Sequence, residues 1–426
     1  MTGRQEDMAR FEALLSSQGR GLLDWLGHRG DALDADAELR LTAGLRARYP
    51  AELVTAALTQ HELRLRARAK FARAGEMFFT RDGLEQASSE VVAGHRARRY
   101  AGLARVADLC CGIGGDLVAL AAGHPVLAVD RDPLHLRMAQ VNAEVHGVAG
   151  NVTAVVADAR DADLTSVEAV FIDPSRRSGS GRLRAGISEP PLGWCTSLAG
   201  RVGIKAAPGI AHEVIPPGWE LEFVAVGREL KEAVAWSPAL ATASRRATLL
   251  PVGSTLARPR GGKPDGEPRT PRPVGGGTLT GSPADGEPVP VRPPGEYLLD
   301  PNPAVTRAGL VRELALMTGT WQIDKQIAFL SAGAPVSTPF ARTLRVIDSA
   351  PWDQKRLPAK LRSLDIGAVD IRRRGLAGDV EQLHRRLRLS GSRRATLVMT
   401  RAAGQPWGLV CLDVDEAGTQ RSGKVG

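Results

Sequence analysis

The chain has 426 residues, 43% of them hydrophobic, which is too long for one ordinary core and leads us to expect about two or three domains. No apolar run is long enough to cross a bilayer and the opening MTGRQEDMARFE lacks the apolar stretch of a secretion signal, so a cytoplasmic protein is expected. A formal net charge of +9 suits an anionic partner; the four cysteines, Cys110, Cys111, Cys195 and Cys411, have neither metal-site nor redox spacing, so no metal is expected and these read as small packed residues.

Residues 1 to about 100 read as helices: Phe11, Leu14, Leu22, Leu23 and Leu26, then Leu53, Val54, Ala57 and Leu58, recur at helical spacing, and Pro50 is placed to open one of them. Arg64, Arg66, Arg68, Lys70 and Arg73 form a strip that either meets phosphates or is a solvated face. Met77 to Thr80 (MFFT) leads to a helix whose start is marked by Ser88 or Ser89 with Glu90 behind it.

The chemistry concentrates at Val106 to Asp116, VADLCCGIGGD. An apolar strand turns through Gly112, Gly114 and Gly115 into a helix beginning near Leu117, which is how a nucleotide pocket is built. A second strand, Val126 to Asp130, ends in a carboxylate suited to a ribose hydroxyl pair, and a third, Val152 to Ala157, delivers Asp158 toward an adenine amine. Leu117 stands where the dinucleotide fingerprint requires its third glycine, which favours S-adenosylmethionine over a nicotinamide dinucleotide. Asp108, Cys110, Gly112, Gly114, Asp130, Asp158 and Ala159 are the candidate cofactor-binding residues. A fourth strand, Ala169 to Ile172, runs into Asp173-Pro174-Ser175-Arg176, where amino-group methyltransferases grip the atom to be methylated. Asp173 and Pro174 are therefore the candidate catalytic pair, with Asp173 capping a turn as the plainer alternative, and Arg176 and Arg177 are candidates for a phosphate or base edge. Strand five is expected at Val202 to Lys205, with Trp219 to Val226 and Thr248 to Val252 as an antiparallel edge. GRELKEAVAW between them offers only a surface ion pair between Lys231 and Glu232.

VADLCCGIGGD, VLAVDRDP, VVADA and FIDPSRR, with ASSEVVAGHRA at Ala87 to Ala97, resemble the bacterial class I methyltransferases that carry a C-terminal THUMP-like domain, and more distantly the trimethylguanosine synthases. The resemblance implies an α/β fold: a Rossmann-like class I methyltransferase sheet, an N-terminal helical region and a C-terminal α+β domain. It also implies that the helix after Ser89 closes over the cofactor. One departure concerns substrate: the cap enzymes place an aromatic residue after two prolines, whereas Ser175 and Arg176 follow Pro174 here. Base stacking would then fall to Phe78, Phe79, Trp194 or Trp236.

From Ala257 to Gly295 there are 10 Pro and 9 Gly in 39 residues, with DGEP at 265 to 268 and again at 285 to 288, which reads as a linker. Beyond it we expect a helix at Ala304 to Met317, strands at Thr343 to Ile347 and Val369 to Ile371, a basic helix at Val380 to Leu389, and a strand pair at Ala395 to Thr400 and Gly408 to Leu412. Lys355 to Arg401 holds 13 Lys or Arg against 4 Asp or Glu, a surplus equal to that of the whole chain, so Arg372 to Arg374, Arg385, Arg386 and Arg388 are expected to contact RNA phosphates. The expected domains are 1–100, 101–256, a 257–295 linker and 296–415. The expected activity is methylation of an exocyclic base amine in RNA, tRNA or rRNA. The rivals are a methyltransferase for a small molecule or protein, and a non-catalytic RNA-binding protein.

Overall fold

In the computed structural model, residues 3–29, 35–175, 177–178, 181–182, 188–252, 276–282 and 288–414 are described. Contacts divide them into two units: the first takes residues up to Glu220 and Ala233–Thr242, the second Leu221–Glu232, Ala243–Val252 and the described residues from 276 onward. The boundary expected at 256 is thus not where the contacts divide the chain. Pieces of sequence on its N-terminal side belong to the second unit.

The first unit opens with helices α1 (Gly3–Leu15), α2 (Ser17–His28), α3 (Ala35–Arg46) and α4 (Ala51–Ala67). Ser16 caps α2 by accepting from the Gly19 N–H at 3.1 Å, and Pro50 is the N-cap of α4. Phe11, Leu22, Leu26, Val54 and Leu63 bury together with Phe78, Phe79, Ile113 and Met138 in one core. The MFFT segment threads through this core, so its backbone needs partners there. Asn142 supplies them: its Oδ1 accepts from Phe78 N at 2.8 Å and its Nδ2 donates to Phe78 O at 3.0 Å and Ile113 O at 2.9 Å. Asn142→Leu should leave these three backbone groups unpaired and cost about 3 kcal/mol, read as a lower melting temperature of the free protein. An unchanged melting curve would mean that the segment finds other partners.

The basic strip is largely consumed by this packing. Arg64 is buried, donating to Met77 O at 2.9 Å over the Phe78 ring, and burial pulls its pKa down to about 10. Lys70 donates to the carbonyls of Leu84, Glu85 and Ala87, and Arg73 binds Glu76 and Val145 O. Arg64 is thereby closed to a phosphate and Lys70 is held by three carbonyls, whereas Arg73 keeps 44% of its side chain exposed beside Glu76.

After α5 (Arg81–Gln86) and α6 (Glu90–Ala97) come β1 (Val106–Leu109), α7 (Gly115–Ala121), β2 (Val126–Asp130), α8 (Pro133–Val145), β3 (Val152–Val156) and β4 (Ala169–Ile172). A two-residue hairpin, β5 (Arg177–Ser178) and β6 (Gly181–Arg182), precedes α9 (Leu192–Ser197) and β7 (Arg201–Ala206). Strands β7, β4, β1, β2 and β3 lie side by side in that order, all parallel. The continuous burial of β1, β2 and β4 reflects cover on both faces, whereas β3 at the edge leaves Val155 and Val156 exposed. The next strands are β8 (Glu220–Val226) and β9 (Glu229–Trp236), and Ala233–Trp236 of β9 run antiparallel to β7. The antiparallel neighbour is thus GRELKEAVAW. Its charged start hid a strand: Lys231 pairs with Glu229 at 2.6 Å, not with Glu232, which is buried.

In the second unit, β8 pairs parallel with β10 (Arg245–Leu250), correcting the antiparallel pair expected there, and β10 pairs antiparallel with β11 (Gly277–Gly281), a strand inside the stretch read as linker. A seven-stranded sheet follows, built from β12 (Tyr297–Pro301), β13 (Trp321–Gln322), β14 (Leu330–Ala332), β15 (Ala341–Pro351), β16 (Ile366–Arg373), β17 (Arg393–Ala402) and β18 (Gln405–Asp413). Its order is β13, β14, β12, β15, β18, β17, β16. The expected helix at Ala304 to Met317 is two, α10 (Pro303–Ala308) and α11 (Val311–Thr318), because Gly309 turns left-handed at φ 75°. Helix α12 (Leu357–Ser363) was not foreseen, and α13 (Val380–Arg386) stops short of Leu389. β17 and β18 join through Ala403 and Gly404, both at positive φ, the turn that suits the twist of a hairpin.

Candidate functional site

β1 ends between β2 and β4, where the strand order reverses, and parallel sheets bind ligands beyond that point. A cavity of about 820 Å³ lies there, in the first unit. Its wall is the glycine loop. Cys110, Gly112 and Gly114 all hold positive φ, and a Cβ on Gly114 would stand 3.0 Å from the Ala139 Cα of α8. Bare backbone at that turn lets the loop lie against the helix. Asp130 fixes the loop from β2, accepting from the N–H groups of Gly112 and Asp132, each at 2.8 Å. Each carboxylate oxygen keeps acceptor capacity beyond these bonds, and Asp130 lines the cavity.

Asp108 lines the cavity floor with no exposed surface and no hydrogen-bond partner on either oxygen. Burial, reinforced by Asp116, Asp173 and Asp130 and opposed by Arg96, pushes its pKa well up. Burial likewise raises the thiols of Cys110 and Cys111, so neither is a reactive thiolate. Asp158 caps the short turn Ala159–Asp161, and Arg160 grips it through Nε and a terminal guanidinium nitrogen, each at 2.8 Å, drawing its pKa down to about 2. A base amine at Asp158 would share that carboxylate with Arg160. Ala159 is buried in the same wall.

Asp173 leaves β4 beside the glycine loop, its N–H donating to Leu109 O at 3.2 Å. Lys205, at the end of β7, meets its Oδ2 at 2.6 Å and also donates to Gln86 O at 3.3 Å. Pro174 lines the cavity, and Ser175 forms an antiparallel bridge with Glu189. Arg176 lies outside the described residues, and Arg177 is described only by its place in β5.

The helix expected to close over the site behaves otherwise. Arg96 of α6, 2% exposed, donates to Ser88 Oγ at 2.7 Å and to Asp116 and lies 5.0 Å over the Phe171 ring, bracing α7 against β4. Asp82, Gly83, Glu85, Gln86 and Ala87, from α5 and its end, line the cavity instead. Three of the expected stacking residues, Phe78, Phe79 and Trp236, are fully buried and cannot meet a base; Trp194 is half-buried.

Among the C-terminal arginines, Arg374 binds Asp300 at 3.0 Å over Phe329, Arg373 donates to Gly378 O, and Arg385 lies 3.6 Å from Glu381. Arg372, Arg386 and Arg388 are exposed.

Three stretches match known families: residues 7–67 a domain of unknown function, 103–178 the RNA cap guanine-N2 methyltransferases, and 341–412 the THUMP domain-like family. Two relatives, each named an uncharacterised S-adenosylmethionine-dependent methyltransferase, come from Mycobacterium tuberculosis strains CDC 1551 / Oshkosh and ATCC 25618 / H37Rv. Each is 36% identical over 341 residues, covering 76% of this chain and 85% of the relative. The crystal structure of a protein assigned as a methyltransferase from Porphyromonas gingivalis W83 shares the fold. It matches with a TM-score of 0.65 and 19% identity, over 91% of this chain and 100% of that one.

Proposed function

The chain belongs to the S-adenosylmethionine-dependent methyltransferases, and from that membership we propose that its acceptor is an exocyclic amine of a base in RNA. The site fits the cofactor on its own chemistry: a cavity over bare glycine backbone, with an unpartnered buried carboxylate at Asp108, suits a cationic nucleoside. In this reading Cys110, Gly112 and Gly114 offer backbone, Asp108 faces the positive charge, Asp130 takes the ribose and Asp158 with Ala159 the adenine. S-adenosylmethionine supplies a methyl on a sulfonium, so the acceptor's lone pair forms the new bond as the sulfur leaves and no general acid is required.

The observation that carries the proposal is the position of Asp173-Pro174, one residue past Ile172, which pairs with Leu109 at the mouth of the glycine loop. A carboxylate oxygen and the Pro174 carbonyl there hold an amine with its lone pair toward the donor. The matches at 103–178 and 341–412 support RNA as the acceptor class. The cavity wall carries Asp82, Glu85, Asp132 and Glu189 besides the carboxylates already named, against Arg131, His135 and Lys205. That acid surplus repels phosphate, so a base enters without its backbone. It also favours, as a second reading, a small cationic amine.

The test uses the full chain with tritiated S-adenosylmethionine and a whole extract of a strain lacking the gene, separated afterwards into RNA, protein and small molecules, with nucleoside mass spectrometry of the RNA. A base methylated on an exocyclic nitrogen is expected. Label found only in small molecules or protein would replace RNA as the acceptor.

A further inference from the structure

Lys205 carries no role in the reading above, yet it makes a short polar contact at the acceptor side of the cavity. Its ammonium lies 2.6 Å from Asp173 Oδ2 and 3.3 Å from Gln86 O, and its side chain is only 11% exposed. The two residues stand 32 apart in sequence, at the ends of neighbouring parallel strands, where Ile172 pairs with Ile204. A carboxylate at a strand end has a free torsion about its last bond, which is broad and roughly two-fold. A cation fixed by a backbone carbonyl removes that freedom. With Oδ2 taken, Oδ1 is the oxygen left to an incoming group, alongside the Pro174 carbonyl.

We propose that Lys205 is a positioning residue of the acceptor site: by holding Asp173 Oδ2 it leaves two acceptors, Oδ1 and the Pro174 carbonyl, a cradle for the two N–H groups of a primary amine. This inference rests on Asp173 being the amine-holding group. When the nitrogen gains a methyl it loses one proton to water and keeps a single N–H, so the product fills only one of the two acceptors. A second transfer is disfavoured. Lys205 also offsets the charge of Asp173 within a wall already crowded with carboxylates, without which the carboxylate would be repelled from the site it serves.

The experiment compares Lys205→Met, Lys205→Gln and Lys205→Arg with Asp173→Ala, on total RNA from the gene-deleted strain, with S-adenosylhomocysteine affinity measured by calorimetry and folding by thermal melt. Lys205→Met should lower kcat by about 10-fold to 100-fold, the cost of a reacting group misplaced by about 1 Å, with cofactor affinity unchanged. Lys205→Arg should recover most of that loss and Lys205→Gln part of it, and the wild-type product should carry one methyl. If Lys205→Met does not fold, the order arginine above glutamine decides. Wild-type kcat in Lys205→Met, equal losses in Lys205→Arg and Lys205→Gln, or a dimethylated main product would overturn the inference. Asp173→Ala separates the two claims: full activity there removes the amine-holding reading itself, whereas an inactive Asp173→Ala beside a fully active Lys205→Met removes only the role of Lys205.

Discussion

Asp173→Ala should bind S-adenosylmethionine within about twofold of the parent protein and lose methyl transfer by about 10²-fold or more, the usual cost of a positioned hydrogen-bond partner in the transition state. The side chain stands past the end of β4, and the strand's pairing with β1 is carried by backbone, so the fold should survive. Calorimetry and single-turnover transfer read the two effects separately. Full transfer activity would reduce Asp173 to a turn residue held by Lys205.

Asp108→Asn should do two opposite things. In the free protein Asp108 is fully buried without a hydrogen-bond partner, and its carboxyl pKa lies well above the ordinary value. A group whose folded pKa is raised binds more protons in the folded state, so its penalty on folding is absent below the unfolded value near 4 and grows as pH rises toward the folded one. The neutral amide removes that penalty, and the free variant should melt higher at neutral pH, by about 2–4 °C for each kcal/mol regained. Cofactor affinity should fall, and the parent's affinity should rise with pH as Asp108 ionises toward a cationic ligand. Asp116, Asp173 and Asp130, which raise this pKa, and Arg96, which lowers it, set the same window. A variant with lower stability or undiminished affinity would remove Asp108 from the cofactor site.

The glycines and carboxylates that line the cavity were legible because they are local. VADLCCGIGGD and the carboxylates ending β2 and β4 are each strand ends that the topology of a parallel sheet gathers at one edge. Lys205 was not legible: its strand was read, but nothing in GIKAAPGI says which carboxylate it meets. The α5 wall was missed for the same reason, since RDGLEQ is too short to announce itself and is placed by Thr80, which caps it and contacts His135 at 3.0 Å. The basic strip stayed open between its two readings because composition cannot distinguish a wet guanidinium from one like Arg64 that is spent on a buried carbonyl. The same limit concealed β9: GRELKE opens as a charged surface segment, and only AVAW, buried against β7, reads as core.

The division of the chain bears on how the protein is made. β8 and β10 belong to the second unit, but β11, which pairs with β10, follows only after 26 intervening residues, and the seven-stranded sheet later still. A nascent chain released as far as Val252 therefore carries strands whose own unit has not been synthesised, and β10 presents an open edge until Gly277–Gly281 arrives. That interval is when the protein is most exposed to wrong pairing and to proteases.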